Sequence, residues 1–219
     1  TWYRARSGSG AHRHDPAKLT IGIYVYVTTY QQKHHQAVDA LMRAIERRGH
    51  NAVTMVFRSN PVLMAFASGG TTTVDALIYA GSSLSTRDRD AAVADARRLG
   101  VPILGAFHHS GLTPEAFRAS PTGLHPALTT AVVDSERDGR FEPIVISGRG
   151  AAVGDRYYTE VFPAQVEWRV DRALAWAALR RLPNARKRVV FTYWSEGGGK
   201  ANIGGDPDDF LDVQGTLTR

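Results

Sequence analysis

The stretch IGIYVYVTTYQQKHHQAVDALMRAIERRGHNAVTMVF, residues 21–57, decides the fold, because it has the pattern of a strand, a helix and a second strand. Its opening run, 21–27, is β-branched and aromatic, as is typical of a buried strand. Apolar residues then recur at helical spacing over 34–48, and Gly49 supplies the expected helix stop. Residues 51–57 predict the second strand. Such a unit indicates two parallel strands joined by a helix.

The alternation of strand and helix patterns continues along most of the chain. Further strands are predicted at 74–80, 101–107, 142–147 and 189–194. Helices are predicted at 86–99, 113–118, 126–134 and 160–182. The stretch 58–72 is interpreted as either a short apolar helix or a loop. The whole pattern favours an α/β fold with a doubly wound, mostly parallel sheet, Rossmann-like or flavodoxin-like, and helices on both faces.

We divide the sequence into three parts. Residues 1–18 are polar and basic and are interpreted as an arm or connector, and residues 19–183 as the α/β domain. Residues 184–219 are expected to hold the first strand and the glycine-rich loop of a following α/β unit that is cut short. The start has neither an initiator methionine nor a signal-peptide pattern, so we expect a fragment of a longer protein.

The composition excludes several classes of protein. The hydrophobic fraction of 43% is ordinary for a globular domain, and no apolar run approaches the ~18 residues of a membrane span. The absence of cysteine excludes disulfides and thiolate chemistry, and it fits a cytoplasmic protein. The net charge of +6 is accompanied by no nucleic-acid-binding motif, and the basic stretch 169–188 is interpreted as a solvated helix face. We therefore expect neither a nucleic-acid partner nor a membrane span.

Ligands of open parallel sheets bind beyond the carboxyl ends of the strands, so the loops that follow the predicted strands are candidate sites. Four such loops carry polar or flexible residues: Thr28, Thr29, Tyr30, His34 and His35; Gly81, Ser82 and Ser83; His108, His109 and Ser110; and the glycine-rich loop 197–204. Imidazole groups at this edge can accept protons, bind a metal or hold carboxylates. The alternative is that each histidine only hydrogen-bonds to a loop carbonyl group.

The glycine-rich loop does not match the phosphate-binding P-loop. That motif requires a glycine five residues before the glycine of its Gly-Lys pair, and a hydroxyl residue after the lysine. Here Trp194 stands at that distance before Gly199-Lys200, and Ala201 replaces the hydroxyl residue. We therefore expect any ATP to be hydrolysed by partner subunits.

A second polar cluster runs from Asp134 to Gly139 and contains Glu136 and Asp138. Closely spaced carboxylates can coordinate a divalent ion or exchange protons. The alternative is a solvated turn before the strand at 142–147. The sequence contains no zinc-protease, serine-hydrolase or dinucleotide-binding motif that would give another assignment.

Four motifs occur in the order that is found in one known family: Ser120-Pro-Thr-Gly-Leu-His-Pro126, Ser135-Glu-Arg-Asp-Gly139, Gly199-Lys-Ala-Asn-Ile-Gly204 and Leu211-Asp-Val213. In this order they resemble motifs of the large tetrapyrrole-binding subunit of class I metal chelatases, the CobN and magnesium chelatase H family. The resemblance extends over nearly all of the chain after Thr20. Ser135 stands where the family usually has proline, and Trp194 begins a departure from the usual entry into the glycine loop.

The resemblance implies part of a subunit that binds a tetrapyrrole while a divalent metal substrate, Co²⁺ or Mg²⁺, is inserted. It also implies AAA+ ATPase and adaptor subunits as partners, which use ATP. Cobalt insertion in cobalamin-type biosynthesis is the main expectation, and this piece alone is expected to be inactive. The alternatives are the large subunit of a magnesium chelatase, a CobN-like haem dechelatase, a non-catalytic ligand-binding or scaffold domain, and an unrelated periplasmic-type sensor domain.

The resemblance and the residue chemistry together suggest three groups of site residues. Proton acceptors are expected at His125 and Glu136. Substrate contacts are expected at Gly199, Lys200, Asn202, Gly204, Ser82 and Ser83. Metal contacts are expected at His108, His109 and Asp138.

Overall fold

The fold is seen in a computed structural model, which describes residues 14–27, 29, 35–57, 66–68, 70–81, 89–121, 132–133, 136, 139–154, 156–188 and 190. Its elements in chain order are β1 (Thr20–Tyr26), α1 (Gln36–Arg47), β2 (Asn51–Phe57), β3 (Ala67–Ser68), β4 (Thr71–Thr72), β5 (Ala76–Ala80), α2 (Arg89–Leu99), β6 (Ile103–His109), α3 (Pro114–Ala119), β7 (Phe141–Val153), β8 (Arg156–Val161), α4 (Pro163–Arg181) and a short 3₁₀ helix (Asn184–Arg186).

The main sheet has the strand order β2-β1-β5-β6-β7-β8, and β3 and β4 form a separate antiparallel hairpin. The first five strands run parallel, and β8 pairs antiparallel with β7 at the edge. Without β8, this is the strand order of flavodoxin-like folds, in which the chain reverses direction between its first and third parallel strands. The predicted α/β class with a mostly parallel sheet is therefore confirmed.

Helices cover both faces of the sheet. On one face, α1 and α4 pack together over a core that includes Leu41, Ile45 and Val170. On the other face, Leu99 of α2 packs into a cluster with Tyr24, Phe66 and Leu77. α1 contacts both β2 and β8, the two edge strands, which shows that the sheet curls around this helix.

The amino edge of the sheet is closed by buried polar contacts. The Asn51 side chain accepts a hydrogen bond from the Asp15 amide (2.9 Å) and donates one to the Asp15 carbonyl (2.8 Å). The Asp75 carboxylate accepts from the Thr20 amide (2.7 Å) and from both Nε and Nη2 of Arg181 (2.8 and 2.7 Å). Each buried polar group of this set has a partner, so this edge stabilises the fold.

Several predicted boundaries differ from the structure. β6 continues to His109 and β7 to Val153, each beyond its predicted end. β8 was not predicted, because its short run was assigned partly to the helix, which begins only at Pro163. A turn at Gly154, with φ of 63°, connects β7 to β8. The described end of the stretch 58–72 is the β3–β4 hairpin rather than a helix or loop.

The basic stretch 169–188 is not the solvated face that we expected. Arg169 is fully buried, Arg172 pairs with Glu142, and Arg181 pairs with Asp75. The predicted elements at 126–134 and 189–194 lie largely outside the described residues, as does the start of the helix predicted at 86–99.

The chain divides into two compact units, Thr1–Leu182 and Pro183–Arg219. The first contains the sheet and helices α1 to α4. Of the second, residues 183–188 and 190 are described, and they include the 3₁₀ helix. Among the helices of the described part, none is long and apolar enough to cross a membrane.

Candidate functional site

The carboxyl edge of the sheet is the candidate site, because β1 and β5 lie side by side where the strand order reverses. Gly81 follows β5 directly, whereas Ser82 and Ser83 lie outside the described residues. On the neighbouring strands, His108 pairs with Ser147 and His109 with Gly148. The polar end of β6 therefore lies at the edge where ligands of this fold bind.

His108 and His109 lie within β6, not in a loop after it. Successive side chains of a strand point to opposite faces, so the two imidazoles diverge. His109 lies on the face of Phe107 and Phe117, and His108 lies on the face of the α1–α4 core. The structure does not bring the two together as a pair of metal ligands. In the described part of the chain, no three His, Asp or Glu side chains form a group that could hold a metal ion.

The His109 ring is 4% exposed, and its Nδ1 accepts a hydrogen bond from the Gly111 amide at 3.2 Å. In a neutral imidazole the proton is then on Nε2. The ring also meets the edge of Phe117, with the centroids 5.9 Å apart. A metal needs a free nitrogen lone pair, and this tautomer has its lone pair directed at Gly111. The local geometry therefore suits a structural role or a hydrogen-bond donor.

His108 and Ser147 form a polar pair across two adjacent parallel strands. The His108 Nδ1 is 3.1 Å from the Ser147 Oγ, and Ser147 is 1% exposed. A hydroxyl group at this distance fixes the orientation of the imidazole, and an oriented imidazole can accept and release a proton near neutral pH. Ser147 was not predicted from the sequence, and only the register between β6 and β7 reveals it.

The hairpin of β7 and β8 extends beyond the last residue pair that joins β6 to β7, His109 with Gly148. On this extension the Arg149 guanidinium lies 5.0 Å from the centroid of the Tyr157 ring. The base of the hairpin is fixed by a hydrogen bond from the Arg149 amide to the Leu112 carbonyl (2.8 Å). Arg149 is exposed, so it can bind a carboxylate while it contacts an aromatic ring. This pair was not predicted, because the strand was expected to end at residue 147.

A ladder of stacked side chains lies just below the carboxyl edge. The ring of Tyr24 stacks on Phe57 (4.7 Å) and on Tyr79 (4.5 Å), and the Arg140 guanidinium lies 4.4 Å from the Tyr79 centroid. Burial raises the pKa of Tyr24 to about 12, against the opposing effect of its hydrogen bond with Tyr79. The Tyr24 phenol therefore stays neutral, and the ladder forms a rigid base beneath the site.

Glu136 is exposed, and its backbone carbonyl accepts a hydrogen bond from the Gly139 amide at 3.1 Å. This local turn leaves the carboxylate facing solvent. The other predicted site residues lie outside the described part: Ser82, Ser83, His125, Asp138, Gly199, Lys200, Asn202 and Gly204.

Fold and edge together define a flavodoxin-like α/β domain with a candidate ligand site at the carboxyl ends of its strands. Comparison with protein families gives a more specific assignment. The family model described as CobN/Magnesium Chelatase matches residues 1–219, so the chain belongs to this family. The family inferred from the sequence motifs is thereby confirmed.

Relatives of known identity are much longer than this chain. The chain is similar to the chloroplastic magnesium-chelatase subunit ChlH of Oryza sativa subsp. indica, with 25% identity over 219 residues, covering 93% of the chain and 15% of that protein. It is similar to the corresponding magnesium-chelatase subunit of Rhodobacter capsulatus, with 30% identity over 206 residues, covering 80% of the chain and 17% of that protein.

A solved structure shows the same fold. The catalytic subunit of cobaltochelatase from Mycobacterium tuberculosis superposes with a TM-score of 0.62 at 22% identity, covering 78% of this chain and 15% of that chain. At this identity the likeness concerns the fold.

Proposed function

We propose that this chain is one part of a chelatase large subunit, and that its carboxyl edge forms one wall of a tetrapyrrole site. The match of the whole chain to the CobN/Magnesium Chelatase family carries the proposal. The edge geometry supports it, because a cation, aromatic rings and an oriented imidazole occur on neighbouring strands. Such groups suit a flat macrocycle that bears carboxylates.

Metal insertion exchanges two pyrrole N–H protons for one divalent cation, so two protons leave as the metal substrate enters. We assign the ring carboxylates to Arg149 and Lys200. We assign proton acceptance to His108, oriented by Ser147, with His125 and Glu136 as further acceptors. An oriented imidazole is effective because its pKa lies close to the working pH.

The remaining sequence-based assignments stay part of this proposal. Ser82, Ser83, Gly199, Asn202 and Gly204 are proposed as substrate contacts, and Asp138 as a contact of the incoming metal. For His109 the tautomer favours a donor role over a metal contact. The metal is Co²⁺ or Mg²⁺, and AAA+ ATPase and adaptor subunits use the ATP.

We also retain the division into an arm at 1–18, an α/β domain at 19–183 and a following unit at 184–219. A cytoplasmic location remains our proposal for the parent subunit. The plastid is the alternative, since the rice relative is named as chloroplastic.

The test is a titration of the full-length subunit with a dicarboxylate porphyrin, followed by absorbance. We expect a saturable spectral shift, and the substitution Arg149→Gln should weaken binding about tenfold, the effect of one charge-assisted hydrogen bond. Arg118→Gln is the matched control, because Arg118 is exposed on α3 and forms a surface ion pair with Glu115. No shift would favour a scaffold domain, and equal losses in both variants would indicate non-specific charge attraction.

A further inference from the structure

Helix α4 is apolar on both sides. Its inner side buries Val166, Val170, Ala173 and Ala177 in the core. Its exposed positions include Ala164, Trp168, Ala175, Ala178 and Leu179, which fall within an arc of about 100° on a helix of 3.6 residues per turn. We call these five residues the outer face of α4. A helix that is apolar all round is normally buried all round.

Helix α1 provides the contrast within the same layer. It packs beside α4 and buries one face, including Val38 and Leu41, but its exposed positions are Arg43 and Arg47. This is the ordinary pattern of a helix between core and solvent. The outer face of α4 therefore departs from what this protein does at a comparable position.

Trp168 is the largest side chain on the outer face and is 45% exposed, and Leu179 is 38% exposed. The guanidinium groups of Arg169 and Arg172 lie 5.0 and 5.9 Å from the Trp168 centroid. Tryptophan and arginine are the residues that most often anchor protein interfaces. Trp168 with Arg172 thus has the composition of an interface anchor.

The charges beside Trp168 are unbalanced. Glu142 is the carboxylate that pairs with both Arg169, whose Nη1 is 3.7 Å away, and Arg172, whose Nε is 2.9 Å away. Two guanidinium groups facing one carboxylate leave an excess of one positive charge. The Arg172 side chain is 41% exposed, so it can reach a second carboxylate from outside.

We propose that the outer face of α4 is an internal interface of the full-length subunit. It is covered by another segment of the same polypeptide, which presents an apolar surface to Trp168 and Leu179 and a carboxylate to Arg172. The length of the relatives argues for this occupant, since the chain covers only 15–17% of them. This inference does not depend on which ligand the carboxyl edge binds.

Hydroxyl-radical footprinting of the full-length subunit tests the inference directly. We expect Trp168 to be oxidised more slowly than its 45% exposure in this chain predicts. The double substitution of Trp168→Gln with Leu179→Gln should lower the thermal midpoint of the full-length subunit, whereas Arg43→Gln on α1 should not.

The other outcomes contradict the inference. Rapid oxidation of Trp168, with no greater effect of the double substitution than of Arg43→Gln, means that the outer face is open to solvent. Protection that disappears on dilution, with a halving of the mass, means that a second copy covers it. Protection that appears only after a partner subunit is added assigns the face to that subunit.

Discussion

Glu142 is the residue on which the junction of β7 and α4 depends. It is the one non-glycine residue of the described part with a positive φ, 50°, a conformation that costs energy unless the surroundings hold it. Its carboxylate accepts hydrogen bonds from Arg172 and from Trp176 Nε1 (3.2 Å), and its carbonyl accepts one from Arg169. Hydrogen bonding to Arg172 holds the pKa of Glu142 below its usual value. Burial lowers the pKa of Arg169 to about 10.

The substitution Glu142→Gln should destabilise the fold by about 3 kcal/mol, because it leaves the buried Arg169 without its counter-charge. Urea unfolding followed by circular dichroism measures this. The matched control is Glu115→Gln, which removes an exposed pair with Arg118 and should cost less than about 1 kcal/mol. Equal effects of the two substitutions would contradict the role given to Glu142.

His50 is expected to make stability depend on pH. Burial, and then the charges of Lys18 and Arg181, lower its pKa below the ordinary 6.5, while Asp75 acts in the opposite direction. The unfolded chain therefore binds more protons than the folded chain as pH falls from 6.5 through the lower folded pKa, so stability is lost over that interval.

The substitution His50→Gln should remove this part of the acid sensitivity. The thermal midpoints of both proteins, measured between about pH 5 and pH 8, give the comparison. The difference between them should change in favour of the variant at the acid end. A constant difference across the range would show that His50 does not titrate in the expected direction.

Among the elements, the β7–β8 hairpin depends on a close approach at Gly148. A Cβ atom at this position would lie 2.6 Å from the Leu112 carbonyl oxygen, a backbone atom that cannot move alone. The substitution Gly148→Ala should therefore cost about 1–3 kcal/mol through overpacking. Chemical unfolding checks this, with Ala151→Ser, at an exposed position of the same strand, as the neutral control. An unchanged stability of the Gly148 variant would contradict the packing described for this junction.

The elements were predictable where one local pattern determines them. β1, α1 and β2 occur within two residues of their predicted ends, because strand and helix periodicities are unmistakable there. β8 was missed because its short run adjoins a helix, and its strand character comes from pairing with β7. The same long-range pairing places Ser147 beside His108, and no local signal in the sequence encodes it.

At the scale of the whole molecule, the sequence allowed both the sheet class and the family to be predicted, since each depends on the order of patterns along the chain. The site was predictable only as an edge. The expectation that His108 and His109 act together ignored the alternation of side chains within a strand. Arg149 and Tyr157 become a pair only through the hairpin, and the contact of Glu142 with α4 joins residues about thirty positions apart.

The central claim is that the carboxyl edge of the sheet contacts a tetrapyrrole. Hydrogen–deuterium exchange of the full-length subunit, with and without a dicarboxylate porphyrin, tests it most directly. We predict slower exchange on binding at the end of β6 and along the hairpin from Arg149 to Tyr157. Exchange at the amino edge, around Asn51 and Asp75, should not change. Binding that is confirmed by absorbance but leaves exchange at the carboxyl edge unchanged would contradict the account.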